Sequence, residues 1–185
     1  MKNFEIRFGG SGGQGLQLSA KLLADALIQE GWKVARSQSY EPTSRGGLSR
    51  ADLVVATQSI DYPLVTALDY LVLLDQPPVS ISLPLLKPGA LVIADARRVR
   101  DIPGEDYDVR FLHLSETALG LGNERVSNII ALGVFAELGD ACGYDTLEQV
   151  IRDGVPQRFV DLNLQAFAKG VEMSKSLEPA LPDAG

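Results

Sequence analysis

Seven residues near the start of the chain, Gly9-Gly10-Ser11-Gly12-Gly13-Gln14-Gly15, carry its clearest chemical signal. Gly10, Gly12 and Gly15 have GxGxxG spacing, behind an alternating run at residues 4–8 and ahead of Leu16, Ala20, Leu23 and Leu27 at helical spacing. Glycines between a strand and a helix let backbone approach a phosphate closely, and the helix start offers unpaired N–H groups to an anion. The chemistry expected is the holding of a phosphate or pyrophosphate. A tight βα turn that binds nothing has the same sequence pattern, so both readings stay open at this point.

The surrounding residues narrow the ligand. A nicotinamide site places an acid about 20 residues further on, where it bonds the ribose. Residues 34–38 here read Val-Ala-Arg-Ser-Gln, and the first acid is Glu41, already in the next loop. A similar lack of a ribose-binding acid argues against a methyltransferase reading of Leu86-Lys87-Pro88-Gly89. Arg36 could instead meet an additional phosphate, as on NADP or coenzyme A.

Other chemistries are poorly provided for. Cys142 is the single cysteine, so the chain holds no disulfide or CxxC pair, and an iron–sulfur cluster normally takes four thiolates. His113 is the single histidine; within the strand-like run 109–114 it is expected to be half-buried and structural. There is no GxSxG elbow and no Cys–His nucleophile pair, and Gly139-Asp140-Ala141 lacks the second glycine of a thiamine diphosphate motif. Catalysis by this chain alone is not expected. The basic stretch Arg97-Arg98-Val99-Arg100, beside Asp95 and Asp101, reads as a solvated turn.

Strands are expected at residues 4–8, 33–38, 51–57, 70–74, 90–94 and 109–114. The nearly continuous apolar runs at 70–74 and 90–94 suit a parallel sheet covered on both faces. Four prolines in residues 76–89 restrict that crossover to a short or broken helix. After the first helix Gly31 is placed as a C-cap, and residues 39–47 form a polar loop. From Ser115 the pattern turns helical, through 126–141 and 146–151 to a last amphipathic helix marked by Val160, Leu164, Phe167 and Val171. The fold class is therefore α/β: one Rossmann-like, doubly wound, mainly parallel sheet with a helical C-terminal third, spanning 1–176 and followed by a tail at 177–185.

The totals agree with a single ordinary globular domain: 185 residues, 45% hydrophobic and 22% charged. A net charge of −7 speaks against nucleic acid as a partner. No apolar run reaches the roughly 18 residues of a membrane span, and the N-terminus enters a strand pattern without a signal-peptide core. A cytoplasmic protein with no membrane partner is expected.

Three stretches taken in order are more specific. They are residues 9–15; residues 38–50, Gln-Ser-Tyr-Glu-Pro-Thr-Ser-Arg-Gly-Gly-Leu-Ser-Arg; and residues 125–133, Arg-Val-Ser-Asn-Ile-Ile-Ala-Leu-Gly. Together they resemble the gamma subunit of the 2-oxoacid:acceptor (ferredoxin) oxidoreductases, which act on pyruvate, 2-oxoglutarate or aryl 2-oxoacids. Asp61-Tyr62-Pro63 and Leu162-Asn163-Leu164-Gln165-Ala166-Phe167 fit the same pattern, so the resemblance runs from about residue 4 to about residue 173.

The resemblance implies that thiamine diphosphate, Mg and 4Fe-4S clusters sit on partner alpha, beta and ferredoxin-like delta subunits. The 2-oxoacid is oxidatively decarboxylated to an acyl-CoA there. Electrons leave through the clusters to an acceptor such as ferredoxin, or NAD through another subunit. This chain then covers the active site and contacts coenzyme A. Carried onto this sequence, the resemblance makes Gly10, Gly12, Gly13, Gln14 and Gly15 the anion loop. Arg45, Gly46 and Gly47 become a second loop facing ligand or partner, and Asn128 a further contact.

One departure stands out from the family pattern SYGPExRGG: Glu41 replaces a glycine and Thr43 an acid, adding a side chain and a charge where the backbone was bare. Plainer roles exist for the same residues. Arg45 could pair with Glu41, Gln14 could bond a neighbouring backbone group, and Asn128 could cap a helix beginning near Ile129. Two other functions compete: a stand-alone NADP- or flavin-linked reductase, and a purely structural subunit.

Overall fold

In the computed structural model, residues 2–40 and 47–176 are described. Glu41, Thr43, Arg45, Gly46 and the tail at 177–185 lie outside them. The first strand, β1 (Phe4–Ser11), alternates as its sequence demands. Phe4, Ile6 and Phe8 turn to one face and are buried, while Arg7 turns to the other. Helix α1 (Leu16–Gln29) buries Leu16, Ala20, Leu23 and Leu27 on that first face. It ends at Gly31, whose φ of +91° only glycine adopts freely. The Gly31 N–H donates to the Ile28 carbonyl and the Trp32 N–H to the Leu27 carbonyl, a Schellman closure that confirms the expected C-cap.

Strands β2 (Lys33–Tyr40), β3 (Leu48–Ala56), β4 (Leu68–Leu73), β5 (Leu86–Asp95) and β6 (Asp108–Leu112) complete a six-stranded mixed sheet of order β2-β3-β1-β4-β5-β6. The pairs β1/β4, β4/β5 and β5/β6 are parallel, as the apolar runs implied. Strand β3 runs antiparallel to both β1 and β2. The chain length explains this: residues 41–47 are too few for a parallel crossover, which takes a dozen or more residues, so β2 and β3 form a hairpin.

The two faces are unequal. Helices α1, α4 (Ser127–Leu138), α5 (Tyr144–Gly154) and α6 (Val160–Lys175) cover the main core. The other face has a smaller core, covered by the short, proline-flanked α2 (Val79–Ser82) and by Val99 and Ile102. Helix α3 (Leu114–Gly120) leads from β6 toward α4. Helix α4 is apolar on every side because it lies between the sheet and α6. A Cβ on Gly133 would collide with the Phe167 carbonyl, and one on Gly170 with the Ile130 carbonyl, so the two helices cross at a glycine contact.

His113 departs from expectation. It follows β6, an edge strand, and its side chain is 70% exposed beside Glu116. The apolar run places Leu112 and Leu114 in the core and leaves His113 between them pointing out. No helix of the described residues is long and apolar enough to cross a membrane.

Candidate functional site

The glycine loop lies at the carboxyl ends of β1 and β4, where the connections leave on opposite faces of the sheet. From β1 the chain enters α1 on the main core face; from β4 it enters α2 on the other. Open α/β sheets form a crevice at such a switch point. Four segments reach it: residues 11–14 at the end of β1, Asp75 after β4, Arg98 after β5 and residues 124–127 at the start of α4.

Within the loop the predicted residues divide by role. Gly10 belongs to β1, paired with β3, and a Cβ there would collide with the Gln14 side-chain oxygen. Gln14 makes the backbone bonds that its plainer reading expects. Its Oε1 accepts from the Ser11 N–H (2.6 Å) and its Nε2 donates to the Leu74 carbonyl (3.0 Å), closing the loop onto β4. Gly13 and Gly15 have φ of +95° and +76°, which bind both positions to glycine. The Gly12 N–H donates to the Gly47 carbonyl at 3.0 Å, so the first and second glycine stretches meet.

Three N–H groups, those of Ser11, Gly12 and Gln14, are therefore used internally. The first bond of α1 runs from the Ser19 N–H to the Gly15 carbonyl. Among the described residues, the N–H groups of Gly13 and of residues 15–18 have no acceptor. Space adjoins them: a Cβ on Gly13 meets nothing within 4 Å, and one on Gly12 only the Gly47 carbonyl at 3.9 Å.

That space is a cavity of about 530 Å³ lined by Gly12, Gly13, Asp75, Arg98, Glu124 and Arg125, among others. A more apolar cavity of about 240 Å³ adjoins it, sharing Gly13 and Arg125 and walled by Leu18, Val126, Phe159 and Leu162. One compartment suits an anion and the other an apolar or aromatic group, the two parts of a nucleotide-like ligand.

The charges of the larger cavity were not found in the sequence. Arg98 is no simple solvated residue: it is 34% exposed, its Nη2 lies 2.5 Å from Glu124 Oε1, and its Nη1 lies 3.9 Å from Asp75 Oδ2. The hydrogen bond from Arg98 holds the Glu124 carboxyl below its ordinary range, and the same bond raises Arg98. Arg97 also reaches Glu124, at 3.2 Å. The turn carrying both arginines is anchored by fully buried Asp95, whose carboxylate accepts from the N–H groups of Arg97 (2.9 Å), Arg98 (3.2 Å) and Ser115 (2.6 Å). Ser11 Oγ donates to Asp75 at 2.7 Å. Arg125 is exposed and forms no ion pair among the described residues. A usable signal did exist, since Asp75 and Arg98 each follow closely on a parallel strand.

Asn128 does not cap the helix. It lies inside α4, 3% exposed, and its Nδ2 donates to the Gly15 carbonyl and to Ser19 Oγ, both at 3.0 Å. It ties α4 to the start of α1 and so holds the glycine loop from behind. Asn123 does the capping, accepting from the Arg125 N–H ahead of the 3-10 turn Glu124–Val126. Among the described residues no cluster of His, Cys, Asp or Glu is arranged to hold a metal.

Residues 5–173 match the family described as pyruvate ferredoxin/flavodoxin oxidoreductase. The chain is 32% identical over 177 residues to the 2-oxoglutarate synthase subunit KorC of Methanocaldococcus jannaschii, covering 94% of this chain and 95% of that one. It is also 32% identical to the gamma subunit of a keto/oxoacid ferredoxin oxidoreductase from Geobacter sulfurreducens PCA, with a TM-score of 0.83 over 94% of this chain and 99% of that one. A 2-oxoglutarate:ferredoxin oxidoreductase from Magnetococcus marinus, with 2-oxoglutarate, coenzyme A and succinyl-CoA bound, shares the fold. There the TM-score is 0.86 at 24% identity, over 98% of this chain and 32% of the larger chain.

Proposed function

The chain belongs to the pyruvate ferredoxin/flavodoxin oxidoreductase family as the gamma subunit of a 2-oxoacid:ferredoxin oxidoreductase, and on that premise we propose that its glycine-loop crevice contacts coenzyme A beside an active site on partner subunits. In the proposed reaction a 2-oxoacid loses carbon dioxide and an electron pair passes to the acceptor. The acyl carbon then bonds the coenzyme A sulfur, which gives up its proton. Relatives named as 2-oxoglutarate synthase subunits make 2-oxoglutarate the first acid to test.

Thiamine diphosphate supplies the carbanion chemistry of decarboxylation, and iron–sulfur clusters carry the electrons; both belong to the partner alpha, beta and ferredoxin-like subunits in this reading. Cys142, the one cysteine here, is buried and cannot furnish a cluster's ligands. The work of this chain is positional. N–H groups at the start of α1, free among the described residues, and the arginines of the crevice face a phosphate-bearing co-substrate, while Gly12 and Gly13 leave it room. The cytoplasm is the proposed location.

The observation that carries the proposal is the convergence at the switch point of the sheet of arginine, open space and N–H groups that have no acceptor among the described residues. Gly12→Val is the direct test, because a side chain there meets no part of the described chain closer than 3.9 Å. With Arg45→Ala, it should raise the apparent KM for coenzyme A in the assembled complex and largely spare thiamine-dependent decarboxylation. If both variants assemble and leave coenzyme A kinetics unchanged, the structural-subunit reading replaces this one.

A further inference from the structure

We propose that Arg98 is a ligand-binding residue of the crevice held in reserve by Glu124, an internal counter-anion that an incoming phosphate must displace. The inference rests on the phosphate-binding reading of the glycine loop and adds to it a threshold for entry.

The geometry supplies each part. The backbone under Arg98 is held by a fully buried carboxylate, Asp95, so the base of the side chain is set before any ligand arrives. Its guanidinium lines the same cavity as Gly12 and Gly13, yet its hydrogen-bonding edge is turned to Glu124 at 2.5 Å. Glu124 lies on a short 3-10 turn preceded by Gly122, whose φ is +89°. It is partly exposed, so releasing it strands no buried charge.

The charge of the crevice balances in this state: Arg98 and Arg125 stand against Asp75 and Glu124. Asp75 is engaged by the Ser11 hydroxyl and the Gln76 N–H, which leaves Glu124 as the exchangeable anion. Each anion entering must meet the cost of separating Arg98 from Glu124, which lowers its apparent affinity by the fraction of Arg98 that is free. A lone carboxylate gains only one replacement contact. A pyrophosphate gains Arg98 through two parallel hydrogen bonds, together with Arg125 and the free N–H groups at the start of α1. The device therefore favours polyanionic co-substrates over a simple carboxylate such as the 2-oxoacid itself.

The test is calorimetric titration of the full chain with inorganic pyrophosphate. Arg98→Gln should weaken binding about tenfold or more, the scale of a lost charge-assisted contact. Glu124→Gln should tighten it about two- to fivefold, the scale of an exposed ion pair. In the Arg98→Gln background the effect of Glu124→Gln should fall well below that in the wild type, because Glu124 then pairs only with Arg97, which does not line the cavity. Gly12→Val separates the two readings. Pyrophosphate binding that is abolished by Gly12→Val but indifferent to both Arg98→Gln and Glu124→Gln overturns the reserve mechanism and leaves the loop reading standing. No binding by the wild-type chain, or binding indifferent to Gly12→Val, overturns both.

Discussion

Arg7 and Asp52 show what a single pair of residues contributes away from the crevice. They face each other across β1 and β3, with Nε–Oδ1 at 2.8 Å and Nη2–Oδ2 at 2.9 Å, and are 1% and 4% exposed. Ser82 Oγ and the Ile81 carbonyl accept from the remaining side of the guanidinium, so the pair also seats α2. Asp52→Ala leaves an uncompensated buried cation and should destabilise the chain by about 3–5 kcal/mol. Joint replacement by Arg7→Met and Asp52→Leu should recover most of that loss, as measured by urea unfolding. Cys142 makes a second prediction. Burial, with Glu30 adding to it, pushes its thiol up to about 12, so the folded chain holds this proton more tightly than the unfolded one. Its contribution is complete below the ordinary thiol pKa of about 8.5 and fades as pH rises toward 12. The stability advantage of the wild type over Cys142→Ala should shrink between pH 7 and pH 10; an advantage that grows instead contradicts the assignment.

At the scale of elements, the α4–α6 crossing decides how the helical third packs. Gly133 and Gly170 let the backbones meet, and no rotamer relieves a Cβ set against a carbonyl. Gly133→Ala should therefore destabilise by about 1–3 kcal/mol despite the better helix propensity of alanine. A neutral or stabilising result in thermal unfolding shows that the helices can separate without loss. Because Asn128 links α4 to the start of α1, the strain should also reach the glycine loop. The expected secondary effect is weaker pyrophosphate binding in Gly133→Ala even below its unfolding temperature.

For the whole molecule, the crevice is built by one chain but its proposed chemistry is shared. Helix α4 offers little to an interface before its last turn, since residues 127–135 are all buried within this chain. Association with partners is expected through the exposed residues of the helical third, where Tyr144 and Phe159 are the large apolar ones, and through residues 40–47. An obligate contact should bury on the order of 2,000 Å² or more. The native protein should elute with larger partners under gentle extraction, and elution as a 19.9 kDa monomer counts against the assembly. Metal analysis of the separated chain should find no stoichiometric iron.

The order of strands and helices was legible in the sequence because hydrophobic periodicity is local: each of the six expected strands and the α1, α4, α5 and α6 helices appears near its predicted bounds. The glycine loop was legible for the same reason, as were the Gly31 cap and the broken crossover at α2. The direction of β3 was not drawn from the pattern, although the shortness of residues 41–47 required a hairpin. His113 was misread because an apolar run does not say which strand will lie at an edge. The polar side of the crevice needed the tertiary structure. Ser11, Asp75, Arg98 and Glu124 are scattered over more than a hundred residues and meet only because parallel β1, β4 and β5 end on the same side of the sheet. The tie from Asn128 to Gly15 and Ser19 likewise depends on helix packing that the sequence pattern does not show. Local periodicity determines which residues become strand or helix, whereas a binding crevice depends on where distant chain ends converge, and burial across the whole fold decides that.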